Sequence, residues 1–376
     1  MTDWTTVPLG EAIELAYGKS LPKALRSDDG KIPVYGSNGI TGWHSAALTQ
    51  EPVVIIGRKG SAGAVQFVDQ PCFPIDTTYF VQPRPRFAFD TKFLYYLLLR
   101  LDLSRLRTAT GVPGLTREDA YRELIAFPGI HEQRRISDLL TRAEGIVRLR
   151  REAAAKAAEL IPAIFIDMFG DPLTNPKQLS IRKVEDVVAK FEGGKNIQAG
   201  DGEASNLRIL KVSAVTSGTY VESECKPAPN DYVPPTQHFV RVGDMLFSRA
   251  NTSELVGATA LVEHTNGSTL LPDKLWRFVW KAEVDPFYMW ALFQSKAVRQ
   301  QLSKLASGTS DSMRNISQAK LFALDLPIAK LEDQRRFGEL INSARSVQAQ
   351  QQTAMMQAQA TFNALVAQAF APHGSL

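Results

Sequence analysis

Metal centres and disulfide frameworks draw on cysteine and histidine, and this chain has little of either: two cysteines and five histidines in 376 residues. Cys72 and Cys225 lie in different halves of the sequence. They cannot build a zinc site, and they read as small core thiols in a reducing cytoplasm. His44, His131, His238, His264 and His373 show no metal-ligand spacing. Long apolar runs are missing too. The longest, Leu94–Leu99 and Ile161–Phe165, are far too short to span a bilayer. The opening Met-Thr-Asp-Trp lacks the basic and apolar regions of a secretory signal, so a cytoplasmic protein with no membrane partner is expected. No charge dominates: 43 Lys and Arg stand against 39 Asp and Glu, a formal net charge of +4. That balance permits a polyanionic partner without demanding one.

Catalytic motifs are equally scarce. Gly18-Lys19-Ser20 has the end of a phosphate-binding loop, but Ile13 stands where the earlier glycine is required. Gly57, Gly60 and Gly63 lack dinucleotide-binding spacing and its acidic partner. Glu224-Cys225-Lys226 has a nuclease-like Glu-x-Lys form, yet the one Pro-Asp pair, Pro272-Asp273, follows it in the wrong order. No Asn/Asp-Pro-Pro-Tyr/Phe methyltransferase motif and no nucleophile elbow occur. The expectation is a protein with no catalytic residues, no metal and no cofactor of its own.

What the chain does have is ordinary globular composition, 44% hydrophobic and 22% charged, at a length suited to two or three domains. It also repeats itself at a spacing of about 200 residues. His131-Glu132-Gln133-Arg134-Arg135 matches Glu332-Asp333-Gln334-Arg335-Arg336, each after a proline, Pro128 and Pro327. Upstream, further pairs keep one order. Gly18-Lys19 answers to Gly194-Lys195, Val53–Arg58 to Met245–Arg249, and Gly63 to Gly257. Pro74-Ile75-Asp76 answers to Leu271-Pro272-Asp273, each followed by an aromatic strand. An amphipathic helix follows in both copies, Phe93–Leu99 and Phe287–Phe293, then a Ser/Thr/Gly-rich loop, Thr108–Gly114 and Ser307–Ser312. Within each copy, Pro52–Gly57, Leu207–Val212 and Leu275–Trp280 read as strands. The glycine-rich stretches Tyr35–Gly39 and Gly57–Gly63 read as exposed turns.

Past Pro128 the pattern turns helical. From Glu132 to Phe169, apolar residues recur at Ile136, Leu139/Leu140, Ala143, Ile146/Val147, Ala154, Ala157, Ile161, Ile164 and Met168, one stripe with three–four spacing. Arg150 interrupts it, Pro162 predicts a kink, and Phe169-Gly170-Asp171-Pro172 ends it. Asp333 to Ala371 repeats the stripe through Phe337, Leu340/Ile341, Ala344, Val347, Met355, Ala358, Phe362, Leu365 and Ala369, with a polar interruption at Gln348–Gln352. Two stripes of equal length predict mutual packing. A helix of about 40 residues is about 60 Å long, more than one DNA turn of about 34–36 Å.

The twin Pro-x-x-x-Glu-Gln-Arg-Arg-like starts at Pro128–Arg135 and Pro327–Arg336, the helix-ending Met168–Lys177 and the two-unit, two-helix order resemble the specificity subunits of type I restriction–modification systems. The resemblance spans the chain. It implies an α+β fold: two similar mixed α/β target-recognition domains separated by two long helices forming an antiparallel coiled coil. The segments would be 1–127, 128–171, 172–328 and 329–376. It implies that each unit reads half of a split, asymmetric site on double-stranded DNA, with the helices as ruler. It also implies that they dock methyltransferase subunits, two of them, and through the assembly the restriction subunits. S-adenosylmethionine would sit on the methyltransferase partner. The alternative is a two-headed protein–protein scaffold that binds no nucleic acid.

Base reading takes Arg or Lys to guanine and Asn or Gln to adenine, while phosphate contacts take Lys, Arg, Ser and Thr. The candidates in the first unit are Lys19, Ser20, Ser37, Asn38, Arg58, Lys59, Thr108 and Thr110. In the second they are Lys195, Asn196, Arg249, Asn251, Thr252, Lys274, Thr309, Ser310, Arg314 and Asn315. Arg58 and Arg249 stand out because they occupy equivalent places. Asp76 and Asp273, equivalent as well, are expected to be their structural partners.

Overall fold

The structure is a computed structural model that describes residues 4–27, 29–108, 113–197, 206–310 and 313–371. It divides into two compact units. One is formed by 1–152 with 352–376, the other by 153–351. Each unit therefore contains one copy of the sequence repeat and a portion of both long helices.

In the first unit a four-stranded antiparallel sheet runs in the order Ile13–Tyr17, Thr78–Pro83, Val53–Gly57, Val65–Val68. The Val53–Gly57 strand is buried along its whole length, which explains its unbroken run of β-branched residues. A three-stranded sheet places Ile32–Gly36 between Gly39–His44 and Phe73–Pro74. The first two form a hairpin whose tip is Ser37-Asn38, with Gly39 at φ 109°. The helix Thr91–Leu101, capped by the Asp90 carboxylate accepting from the Phe93 N–H at 2.8 Å, buries Phe93, Leu94, Tyr96, Leu97 and Leu98. Thr5–Pro8 pairs with Leu124–Phe127 and closes the unit.

The second unit repeats this wiring. Its four-stranded sheet runs Val188–Gly193, Leu275–Trp280, Met245–Ser248, Thr259–Leu261. Its three-stranded sheet places Arg208–Leu210 between Cys225–Pro227 and Thr269–Leu270. Helix Pro286–Gln294 starts on Asp285, and Ser180–Lys183 pairs with Asp325–Ile328. The strand expected over Leu207–Val212 is shorter, because Val212–Val215 turns into a 3-10 helix. The Ser307–Ser312 stretch is not simply a loop. Ser307–Ser310 and Met313–Asn315 are strands, and the latter pairs with Ala250–Asn251.

The long helices span Ile130–Ala158, Leu160–Phe169 and Leu331–Ala369. The expected kink is a break at Glu159. Pro162 has no N–H to offer the Ala158 carbonyl four residues back, so the ladder opens there. In the second unit Phe337 packs on Phe165 and Phe169 at ring distances of 5.6 and 5.5 Å. Eleven residues further along its own helix, Gln348 donates through Nε2 to the Ala157 carbonyl at 2.9 Å. The two helix portions are therefore antiparallel. In the first unit Ile136, Leu140 and Val147 share a core with Phe362 and Val366. Phe362 meets Tyr96, whose hydroxyl reaches Thr141 and Glu144, while Phe370 lies on Phe93. The polar Gln348–Gln352 stretch is thus partly used, since Gln348 satisfies a carbonyl beside the break.

The repeated Gln-Arg-Arg motif has a physical cause. Gln133, 1% exposed, accepts the Asp90 N–H through Oε1 at 3.0 Å. Its Nε2 donates to the Ala88 and Pro128 carbonyls at 3.1 and 2.9 Å. Gln334, 2% exposed, accepts the Asp285 N–H at 2.9 Å and donates to the Ala329 carbonyl at 2.8 Å. Each glutamine locks the start of a long helix to the N-cap of an earlier helix in its unit, Thr91–Leu101 or Pro286–Gln294. These are backbone groups that water cannot reach, so the amide is the partner they require.

Candidate functional site

Both units build the same local frame around one arginine. In the first, the Arg58 N–H donates to the Thr77 carbonyl at 2.8 Å, and the Leu115 N–H donates to the Arg58 carbonyl at 2.9 Å. In the second, the Arg249 N–H donates to the Lys274 carbonyl at 3.1 Å, and the Ile316 N–H donates to the Arg249 carbonyl at 2.9 Å. The following turn closes by Gly63 N–H to Gly57 carbonyl and by Gly257 N–H to Ser248 carbonyl. Gly63 and Gly257 both sit near φ 80°, in the left-handed region. A Cβ on Gly63 would lie 2.4 Å from the Ser104 nitrogen. That double demand is why a glycine recurs there.

The side chains of these arginines turn back onto the main chain. Arg58 donates through Nε and Nη2 to the Asp76 carbonyl at 2.8 and 2.6 Å. Arg249 donates through Nε to the Asp273 carbonyl at 2.8 Å, with its Nη2 3.8 Å from the Asp273 carboxylate. The aspartates are the expected structural partners, chiefly through their backbone.

Around Arg58 the structure gathers most of the first unit's candidates. Lys59 pairs with Gly114 as an isolated bridge, and Thr108 exchanges hydrogen bonds with the same Gly114. Ser37 stands against the Gly57–Gly60 turn, where a Cβ on Gly57 would lie 3.1 Å from the Ser37 Cβ. Asn38 is exposed beside it at the hairpin tip. Lys19 bridges Ile75, next to Asp76, and is exposed, as is Ser20. Thr110 lies outside the described residues.

Around Arg249 the second unit gathers its own. Lys195 bridges Pro272, next to Asp273, with Asn196 exposed beyond it. Asn251 pairs with Arg314 and Ala250 with Asn315 across two strands. Asn251 also accepts the Thr252 N–H at 2.9 Å. Lys274 follows Asp273 and stands half-buried. Thr309 and Ser310 lie on the adjoining strand, where only their backbone is described. Arg314 is largely committed within its own hairpin, donating to the Ala306 and Gly308 carbonyls at 2.8 and 3.4 Å.

Two residues at this face are missing from the sequence-based candidates. Tyr17, 49% exposed, lies beside Arg58 and beneath Arg117. Tyr17 faces Tyr79 across the strand pair, with ring centroids 5.2 Å apart. Burial, with Tyr17 adding to it, pushes the Tyr79 hydroxyl up to about 12, and that hydroxyl donates to the Leu115 carbonyl at 3.1 Å. A strand ending in tyrosine carried no signal of this, because Arg117 comes from a helix a hundred residues away.

Beneath the second unit's face lies a buried ionic knot. Arg277 donates to Asp244 at 2.8 Å and to Glu192 at 2.9 Å, and reaches the Phe239 carbonyl at 2.9 Å. It fixes the edge of the main sheet and offers nothing to solvent. Among the described residues no group of His, Cys, Asp and Glu could hold a metal, and no helix is long and apolar enough to cross a membrane.

Residues 1–156 match the family model described as the type I restriction modification DNA specificity domain. A curated relative, the type I restriction enzyme EcoEI specificity subunit of Escherichia coli, is 30% identical over 190 residues, 49% of this chain and 32% of that protein. The chain thus aligns with about a third of that relative's length. Among solved structures, the S subunit of a type I restriction–modification system from M. genitalium aligns with 100% of this chain and 97% of its own, at TM-score 0.62 and 14% identity. A structure described as showing complex assembly and conformational transition of the type I R-M system aligns over 100% of both chains, at TM-score 0.57 and 17% identity. These likenesses establish the shared fold. Residues 1–156 are thus similar to the DNA specificity domain of type I restriction–modification systems, and the whole chain shares the fold of their S subunits.

Proposed function

We propose that this chain is the DNA sequence-specificity subunit of a type I restriction–modification complex and reads a bipartite, asymmetric site on double-stranded DNA in the cytoplasm. One observation carries the reading: the same arginine-centred, cation- and amide-bearing face is built twice on two topologically equivalent units. Equivalent frames with different side chains suit a site whose two halves differ. Arg58 and Arg249 tie their own loops down and keep further guanidinium N–H groups for DNA. Lys19, Lys59, Lys195 and Lys274 suit phosphate contacts. Ser37, Asn38, Thr108, Thr110, Asn196, Asn251, Thr252, Thr309, Ser310, Arg314 and Asn315 are the remaining groups proposed to contact DNA, with the asparagines suited to adenine.

The chemistry then belongs to partners. Methyltransferase subunits, two in number and carrying S-adenosylmethionine, would dock on the helices, and restriction subunits would join through the assembly. Exposed Leu139, Ile146 and Leu149 in the first unit, and Ile166, Leu340 and Val347 in the second, support that docking. A gel-shift titration of the full chain with its methyltransferase partner tests the proposal. Salt-dependent binding biased toward one duplex sequence is the expected result, and equal binding to all sequences, or none, opposes it.

A further inference from the structure

The two reading faces differ at one corner. In the first unit the Arg58 guanidinium lies 5.4 Å and the Arg117 guanidinium 4.4 Å from the centre of the Tyr17 ring. Tyr17 is 49% exposed. Among the described residues no carboxylate pairs with either arginine: Arg58 donates only to a backbone carbonyl, and Arg117 has no ion pair. Two like charges held against one exposed ring repel each other. The tyrosine face offsets part of that cost, and an anion between them would offset the rest.

The second unit shows the contrast. The hydrogen bonds that align Leu115 with Ile316 place Gln318 where the first unit has Arg117. Its Nε2 is spent on the Phe191 carbonyl at 3.4 Å. Gly193 stands opposite Trp276, as Tyr17 stands opposite Tyr79. That corner therefore has one arginine, Arg249, with a carboxylate 3.8 Å away. Among the described residues, the first unit has the paired cations at this corner and the second does not.

We propose that Arg58, Tyr17 and Arg117 form a phosphate-binding corner that seats one DNA backbone phosphate against the first unit. The two guanidiniums supply the charge-assisted donors, and the Tyr17 ring holds them apart at a fixed spacing. This site rests on the DNA-reading function above and adds Tyr17 and Arg117 to it.

The test uses the full chain bound to its methyltransferase partner. Fluorescence anisotropy follows binding to the target duplex and to an unrelated duplex of equal length, across about 50 to 200 mM salt. Arg117→Gln installs the second unit's residue. It should lower the slope of log affinity against log salt by about 0.9 and weaken both duplexes by a similar factor. Arg117→Lys, which keeps the charge, should restore most of the slope. Tyr17→Ala, with both arginines intact, should reduce affinity for both duplexes by disordering the pair. An unchanged slope in Arg117→Gln, or a loss confined to the target duplex, overturns the phosphate corner while leaving the DNA reading in place. Absence of salt-dependent binding by the unaltered chain overturns both.

Discussion

Arg249 grips the main chain of Asp273: its Nε donates to the Asp273 carbonyl at 2.8 Å, while the carboxylate stands 3.8 Å from Nη2. The arginine is thereby pre-set, so its ordering cost would already be met in the proposed DNA contact. Replacing it with alanine should weaken target binding by about 1–3 kcal/mol and narrow the margin over unrelated sequence, as loss of a guanine contact does. Competition titrations with target and scrambled duplexes measure both quantities. An equal loss on both duplexes would move Arg249 to the phosphate backbone.

Gln334 makes a second prediction. Gln334→Ala leaves the Asp285 N–H and the Ala329 carbonyl without their amide partner at a 2%-exposed position. Orphaned buried groups cost about 1–3 kcal/mol each, so the second unit should unfold at lower denaturant, as followed by tryptophan fluorescence. Gln133→Ala should do the same to the first unit. A variant as stable as the parent would show that other groups or water replace the amide.

Arg277 carries a larger effect. Its side chain is 6% exposed and faces Asp244 at 11% and Glu192 at 21%. Arg277→Met removes the guanidinium from Asp244, Glu192 and the Phe239 carbonyl, leaving Glu192 its pair with Lys190, and breaking the buried Asp244 pair costs roughly 3–5 kcal/mol. Denaturant unfolding of the full chain reads this directly. A cost near zero would mean that the acids find new partners.

The same knot sets an acid response. The hydrogen bond from Lys190, and after it the pull of Arg277, holds the Glu192 carboxyl below its ordinary value near 4.5. A depressed folded value means that Glu192 contributes stability above the ordinary value. That contribution is lost as pH falls through the lower, folded one. Thermal unfolding of the second unit should therefore become easier below about pH 4.5, and Glu192→Gln should flatten that part of the profile. An unchanged profile in the variant would assign the acid sensitivity to other carboxyls.

Much of this architecture was legible because the repeat is written in residues with stringent backbone duties. Gly63 and Gly257 need a positive φ, and Gln133 and Gln334 satisfy buried main-chain groups. The Arg58–Asp76 and Arg249–Asp273 pairings were readable as paired anchors, though not as side chain to backbone. The helix break was readable from Pro162, since a missing N–H acts locally. Tyr17 and Arg117 were not, because their stacking joins a strand end to a distant helix. The hairpin Ser307–Asn315 was also hidden. Its Ser, Gly and Thr residues favour turns by local propensity, and they become a strand by pairing with Met313–Asn315, which itself pairs with Ala250–Asn251.

The central claim, a chain that sets the DNA target of a methyltransferase, meets its most direct test in the methylated bases of a host genome mapped with and without this gene. One split motif, two unlike half-sites around an unread spacer, should be methylated only when the gene is present. A methylation map identical in the two strains would contradict that claim.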